Sequence, residues 1–213
     1  MGDTDRGFLV LADVSGYTAF VTATELEHGP PIVAALLEEV IGRISPPLDV
    51  LQIEGDAVFA LGPDGRVVPP ATLLDVLHAG FAGFRARQRE LAADDSCSCG
   101  ACRGVSELRL KIIGHHGSFL RQTIGGRAQV VGSDVILAHR LLKNGVVRDD
   151  DYVLLTERAL QSMGLDPVDT RLVARTEHYQ HFGPIPCFVM SGLPSSSVDA
   201  AADGLQDARI GLA

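Results

Sequence analysis

FLVLADVSGYTAF, residues 8–20, runs four apolar residues and an alanine into Asp13, passes through Gly16 and continues into a helix-favouring stretch. A carboxylate where a buried strand stops is costly unless a cap, a cation or a partner compensates it. Residues 7–13 read as a buried strand, and residues 15–24 as a short helix whose first turn has free backbone donors. The strand end is therefore a candidate ion site, and the rest of the chain decides of which kind.

A second carboxylate lies in a similar place. LDVLQIEGDAVFALGPDG, residues 48–65, is two apolar strands hinged at Glu54, Gly55 and Asp56, a hairpin pattern. If the first strand and this hairpin are neighbours in one sheet, Asp13 and Asp56 approach each other. Two close carboxylates repel unless a proton or a cation lies between them. A pair of Mg2+ or Mn2+ ions resolves the repulsion, and two such ions about 3.5–4 Å apart serve in-line phosphoryl chemistry. The alternative is that Asp13 caps the helix after it and Asp56 is an ordinary turn residue.

Around these stretches the pattern alternates strand and helix. After the break EHGPP, IVAALLEEVIGRI has helical apolar spacing and stops at Ser45, Pro46 and Pro47. Residues 71–91 form a long amphipathic helix, and ELRLKIIGHHGSF a strand on which His115 and His116 alternate, one facing the core and one facing out. TIGGRAQVVG reads as a turn with more strand. SDVILAHRLLKN is a helix with Ser133 or Asp134 as its cap and Asn144–Gly145 as its stop. A strand at 152–156, a helix at 157–163 and strands at 168–174 and 185–190 follow. The fold class is α+β, helices over a mostly antiparallel sheet. Residues 1–193 make one domain with a cysteine loop inserted at about 94–105. Residues 194–213 are a small, polar, acidic tail expected to be mobile.

With 18 basic against 27 acidic residues, the 213-residue chain carries a net charge of −9, which opposes binding to nucleic acid or an anionic membrane face. No apolar stretch reaches the length of a membrane span, and MGDTDRG carries acids where a signal peptide has a basic start. A soluble, cytoplasmic protein is expected. Three of the four cysteines crowd into six positions, too close for a disulfide framework in a chain this long, which fits a reducing compartment.

The cysteine loop, DSCSCGACRG, has the spacing C-x-C-x-x-C. Thiolates of Cys97, Cys99 and Cys102 at this spacing can converge on one tetrahedral Zn2+, given a fourth ligand from Cys187 or a nearby His. Three reduced surface thiols or a redox pair are the alternatives.

FLVLADVSGYTAF, LQIEGDAVFAL, LRLKIIGHHG and GSDVILAHRL together, in this order, resemble the class III nucleotidyl cyclase domain over residues 7–192. With the cysteine cluster, GSDVILAHRLLKN resembles more narrowly a bacterial branch related to the cyclases and labelled as a domain of unknown function. The resemblance implies a ferredoxin-like, palm-type βαββαβ sandwich and a head-to-tail homodimer with composite sites. It implies that Asp13 and Asp56 hold two metal ions with help from the carbonyl of Val14, and that the amides of Ser15, Gly16, Tyr17 and Thr18 cradle the phosphates of a nucleoside triphosphate. Lys111 takes the place of a triphosphate-binding Arg, and Arg140 of the other subunit that of the Arg stabilising transition-state charge. The base-reading positions correspond to Gln52 and Gln129, which leave the base unspecified because Gln offers both a donor and an acceptor. Two departures bear on catalysis. Ile136 stands where the family has a transition-state Asn, and HYQHFGPIPCFV has no counterpart of its late phosphate-binding Lys. A catalytically silent module responding to a nucleotide or to zinc is thus the second expectation.

Overall fold

The apolar run that begins at Gly7 lies in the middle of the sheet. In the computed structural model, which describes residues 4–94, 96–147, 151–168, 170 and 172–191, it forms β1, Thr4–Ser15. On one side β1 pairs antiparallel with β3, Ala57–Pro63, and on the other with β4, Arg109–Ile124. The strand is longer than its apolar part because its polar ends still pair, Thr4 with Leu120 and Ser15 with Arg109. Beyond β3 lies the edge strand β2, Asp49–Glu54. With α1 (Tyr17–Ala23) and α2 (Gly29–Ile44) between β1 and β2, and α3 (Thr72–Ala93) between β3 and β4, these elements make the βαββαβ unit with spatial order β2-β3-β1-β4.

The sheet continues on the far side of β4. There β6, Tyr152–Thr156, runs parallel to β4, and β8 (Gly183–Ser191) and β7 (Val173–Tyr179) follow as antiparallel neighbours. The end of β4 projects as an arm paired with β5, Arg127–Val131. The remaining helices are α4 (Gly100–Gly104), α5 (Ser133–Leu141) and α6 (Glu157–Met163), with one 3-10 turn at Val105–Glu107 after α4.

Alternation along β1 divides the core in two. Phe8, Val10, Ala12 and Val14 join the core beneath α1, α2, α3 and α6, whereas Leu9 and Leu11 join the one beneath α5. Asp13 continues the second series, on the α5 side. Covering of both faces is why the run is apolar without alternating.

Several local expectations change. Pro30 and Pro31 lie in the first turn of α2 rather than before it, where their missing N–H groups have no intrahelical acceptor to lose. His115 and His116 are both buried, at 0% and 4% exposure, because both faces of β4 are covered. The N-cap of α5 is Gly132 with no side-chain cap. Asp134 instead accepts the Ser118 N–H at 2.7 Å and pairs with Arg158 at 2.7 Å, so its carboxylate fastens α5 to β4 and α6. The strand expected at 168–174 is displaced to β7, and Val168 is 85% exposed. No helix among the described residues is long and apolar enough to cross a membrane. The tail at 194–213 lies outside the described residues.

Candidate functional site

At the end of β1, Asp13 stands opposite Ala57 on β3 and Lys111 on β4. One residue further on, the Val14 N–H donates to the Asp56 carbonyl at 3.1 Å. This bond carries the β1–β3 ladder into the hairpin turn and brings Asp56 beside Asp13. Gly55, at φ 61°, gives the turn the left-handed backbone that an L side chain rarely adopts. Burial, and after it the charge of Asp56, holds the Asp13 carboxyl above the usual carboxylate range, while Lys111 and Lys143 pull it down. Burial also raises Asp56, against its own backbone N–H and Lys111. Two half-buried acids are therefore paired in an environment that disfavours their charge and has cations at its rim. Lys143, just past α5, was not singled out from sequence; its place at the end of the helix covering the Asp13 face is the only signal.

The chain leaves β1 through Gly16, at φ 88°, which is the N-cap of α1. No side chain caps this helix, so the capping alternative for Asp13 falls. Ser15 is 8% exposed, and its Oγ has no hydrogen-bond partner among the described residues. Thr18 is exposed and Tyr17 half-buried. A Cβ on Gly55 would lie 3.9 Å from the Tyr17 ring, so residues 15–18 and the Asp56 turn border one another.

The other residues singled out from sequence lie apart from this pair. Gln52 and Gln129 line one groove of about 450 Å3 with Glu54, Arg121 and His139, and neither Asp13 nor Asp56 belongs to its lining. The Gln52 amide donates to Glu54. Arg140 is exposed on α5, its guanidinium 5.7 Å from the Phe182 ring centre and its carbonyl accepting the Tyr179 hydroxyl at 2.9 Å. One turn earlier Ile136 is 53% exposed.

A second cluster gathers on the α1 side of the sheet. His28 Nδ1 lies 3.1 Å from Cys99 Sγ and 3.5 Å from Cys97 Sγ. Together with Cys102 these side chains place their four ligand atoms within 4.8 Å of one another, an arrangement that could hold a metal ion. The Cys102 N–H donates to Cys99 Sγ at 3.4 Å, the largest of the influences that bring the Cys99 thiol down to about 7. The Cys102 thiol is pushed up to about 12, first by Cys99. Glu25 accepts the Gly100 N–H at 3.4 Å and supports the loop. Cys187 is fully buried on β8 in the core beneath α5, donating to the Ile185 carbonyl, so it does not join the other three.

Comparison with known proteins places this architecture. Residues 33–152 match the family described as "Protein of unknown function (DUF2652)". Over 131 residues, 62% of its length, the chain is 30% identical to the uncharacterized protein Rv2561/Rv2562 of Mycobacterium tuberculosis, and the match spans 60% of that relative. Among solved structures it is similar to the adenylyl cyclase CyaB from P. aeruginosa, with TM-score 0.70 and 12% identity, covering 92% of this chain and 98% of that one. It is also similar to the guanylyl cyclase Cya2, with TM-score 0.66 and 16% identity, covering 92% and 97%. The fold is that of the class III nucleotidyl cyclase catalytic domain.

Proposed function

The chain belongs to the DUF2652 family of proteins of unknown function, and on its cyclase fold we propose that two copies assemble head-to-tail and bind a nucleoside triphosphate with two divalent ions, Mg2+ or Mn2+. The observation that carries this reading is the juxtaposition of Asp13 with the Asp56 turn, both carboxyls held above their usual range, with Ser15, two residues after Asp13 on β1, keeping a buried hydroxyl that has no partner among the described residues. Oxygen donors of this kind fit hard divalent cations.

Asp13, Asp56 and the carbonyl of Val14 would hold the ions. Bound there, the metals would supply charge neutralisation and acidify a ribose 3'-hydroxyl, the chemistry that cyclisation of a nucleoside triphosphate with loss of pyrophosphate requires. The backbone amides of Ser15, Gly16, Tyr17 and Thr18 and the Ser15 hydroxyl receive phosphate oxygens, and Lys111 balances the triphosphate charge. Gln52 and Gln129 face the base from their shared groove. That groove does not include the acid pair, and Arg140 packs on Phe182 instead. A second copy therefore completes each site, and its Arg140 stabilises charge on the reacting phosphate, a role worth about 2.7–4 kcal/mol for one fixed donor.

The exposed Ile136, one turn before Arg140, favours a second reading in which the nucleotide is bound but not turned over. An apolar side chain supplies no donor there, and losing one such donor slows a reaction by about 10²–10³.

Titrating each of the four ribonucleoside triphosphates with Mn2+ tests the first reading. Binding is expected in the wild type and lost in Asp56→Ala; equal binding by both overturns it. Chromatography for a cyclic product distinguishes the readings. Product abolished by Asp13→Ala supports an enzyme, and binding without product supports the silent module.

A further inference from the structure

The cluster of His28 with three cysteines includes none of the residues assigned to the nucleotide, and its geometry fits a different task. We propose that His28, Cys97, Cys99 and Cys102 bind one Zn2+ in a closed tetrahedral site that fastens the start of α2 to the connection between α3 and β4.

Ligand spacing is the first argument. With Zn–S about 2.3 Å and Zn–N about 2.0–2.1 Å, the edges of a tetrahedron are about 3.8 Å between sulfurs and about 3.5 Å between sulfur and nitrogen. His28 Nδ1 lies at 3.1 and 3.5 Å from two of the sulfurs, and all four ligand atoms fall within 4.8 Å of one another. One imidazole nitrogen facing two thiols is more than a single hydrogen bond requires, and the spread of the four ligand atoms is that of a set able to surround one ion.

Donor chemistry is the second. Three thiolates and an imidazole make a soft, complete tetrahedral set suited to Zn2+ and poorly suited to Mg2+ or Ca2+, which prefer oxygen ligands. All four cysteines of the chain are free, and Cys187 is buried in the other core, so a disulfide framework does not account for the group. On binding, each thiol gives up its proton and forms an S–Zn bond, with no change of oxidation state.

The surroundings give the ion something to do. α4 has only five residues, and of its side chains only Ala101 is buried. It nevertheless leans on α1, since a Cβ on Gly104 would lie 3.5 Å from the Phe20 ring and one on Gly100 3.5 Å from the Ala23 carbonyl oxygen. The loop is thus pressed against α1 and the α1–α2 turn with little apolar area to hold it. A Zn2+ shared between His28 on one side and the C-x-C-x-x-C loop on the other supplies that hold. Its ligands include none of the residues assigned to the triphosphate, so the zinc site stands or falls without reference to nucleotide binding.

The test uses the full chain, expressed with zinc and analysed by elemental mass spectrometry, and then reconstituted with Co2+. One zinc per chain is expected, and the cobalt form should show thiolate-to-metal charge transfer with the intense visible bands of a tetrahedral centre. His28→Ala and Cys99→Ser should lose the ion to a dilute chelator that leaves the wild type loaded, His28→Cys should keep it, and Cys187→Ala should be unaffected. Removing zinc should speed amide exchange over residues 20–28 while leaving the centre of β1 unchanged. Absence of zinc binding by the wild type, a six-coordinate cobalt spectrum, or undiminished retention by His28→Ala overturns the proposal. The cobalt spectrum and the exchange data come from the wild type, so they decide the question even if a variant fails to fold.

Discussion

His115 shows how a buried polar side chain on this fold sets a pH limit. Its ring is fully buried, with Nδ1 2.8 Å from the Thr156 hydroxyl and Nε2 3.3 Å from Asp134. A neutral ring satisfies both partners, accepting from Thr156 and donating to Asp134. Burial lowers its pKa from 6.5 to about 4, outweighing the opposing pull of Asp134. The unfolded chain thus takes up a proton at a pH where the folded one does not, and stability falls as pH drops from 6.5 towards 4. The loss amounts to about 3 kcal/mol at the bottom of that window. In denaturant titrations His115→Gln should show a shallower decline over this interval than the wild type; an identical decline in both would exclude the mechanism. Such partners are hard to read from sequence. Asp13, Asp56 and the cysteine triplet stand out because each breaks a local pattern. His28 does not, since it stands 69 positions before the nearest cysteine of the cluster and only the packing of α4 against the α1–α2 turn joins them. Lys143 is similarly hidden, its effect on Asp13 arising from the way α5 lies across the sheet.

Between elements, the pairing of β1 with β3 brings the two acids together at the Ala57 end of the ladder, and Gly7 lets the two backbones pack closely at its Pro63 end. A Cβ there would lie 2.5 Å from the Gly62 carbonyl oxygen and 2.7 Å from the Pro63 Cα. Both are backbone atoms, which cannot swing aside as a side-chain end can. Gly7→Ala should therefore destabilise the protein by about 1–3 kcal/mol, the usual cost of overpacking, measured as a lower midpoint in urea. An unchanged midpoint would mean that β3 shifts freely at its Pro63 end. The strands and long helices were legible because apolar runs and helical spacing are set by burial of whole faces. Their ends were less so. The first turn of α2 tolerates its two prolines because nothing there needs an N–H, and Asp134 looks like a cap in sequence but serves as a brace between α5, β4 and α6. The start of β7 is set by pairing with β8, Val173 opposite Val189, rather than by its own apolar content.

Over the whole molecule, four of the nine large apolar side chains left exposed among the described residues lie on elements that line or border the groove of Gln52 and Gln129, the surface to which the proposed second copy is assigned. Leu51 on β2, Leu120 and Ile124 on the β4–β5 arm and Ile136 on α5 are 37%, 39%, 54% and 53% exposed. Leu51 lines the groove of Gln52 and Gln129, and the β4–β5 arm and α5 contribute Ala128, Val130 and Val135 to the same lining. A net charge of −9 acts against association of two identical chains, so the proposed dimer forms only where burial of this surface outweighs their repulsion. Two consequences are measurable together by light scattering after size exclusion. Raising the salt concentration should shift the wild type towards dimer by screening the repulsion, the reverse of what salt does to an interface held by opposite charges. Ile124→Glu adds another negative charge to the exposed arm and should give a monomer that keeps its fold, because a residue half open to solvent contributes little to the core. If completion of the site depends on the second copy, that monomer also loses Mn2+-dependent triphosphate binding. A folded Ile124→Glu monomer that binds as tightly as the wild type would show that one chain suffices, and that Arg140 and the groove serve some other contact.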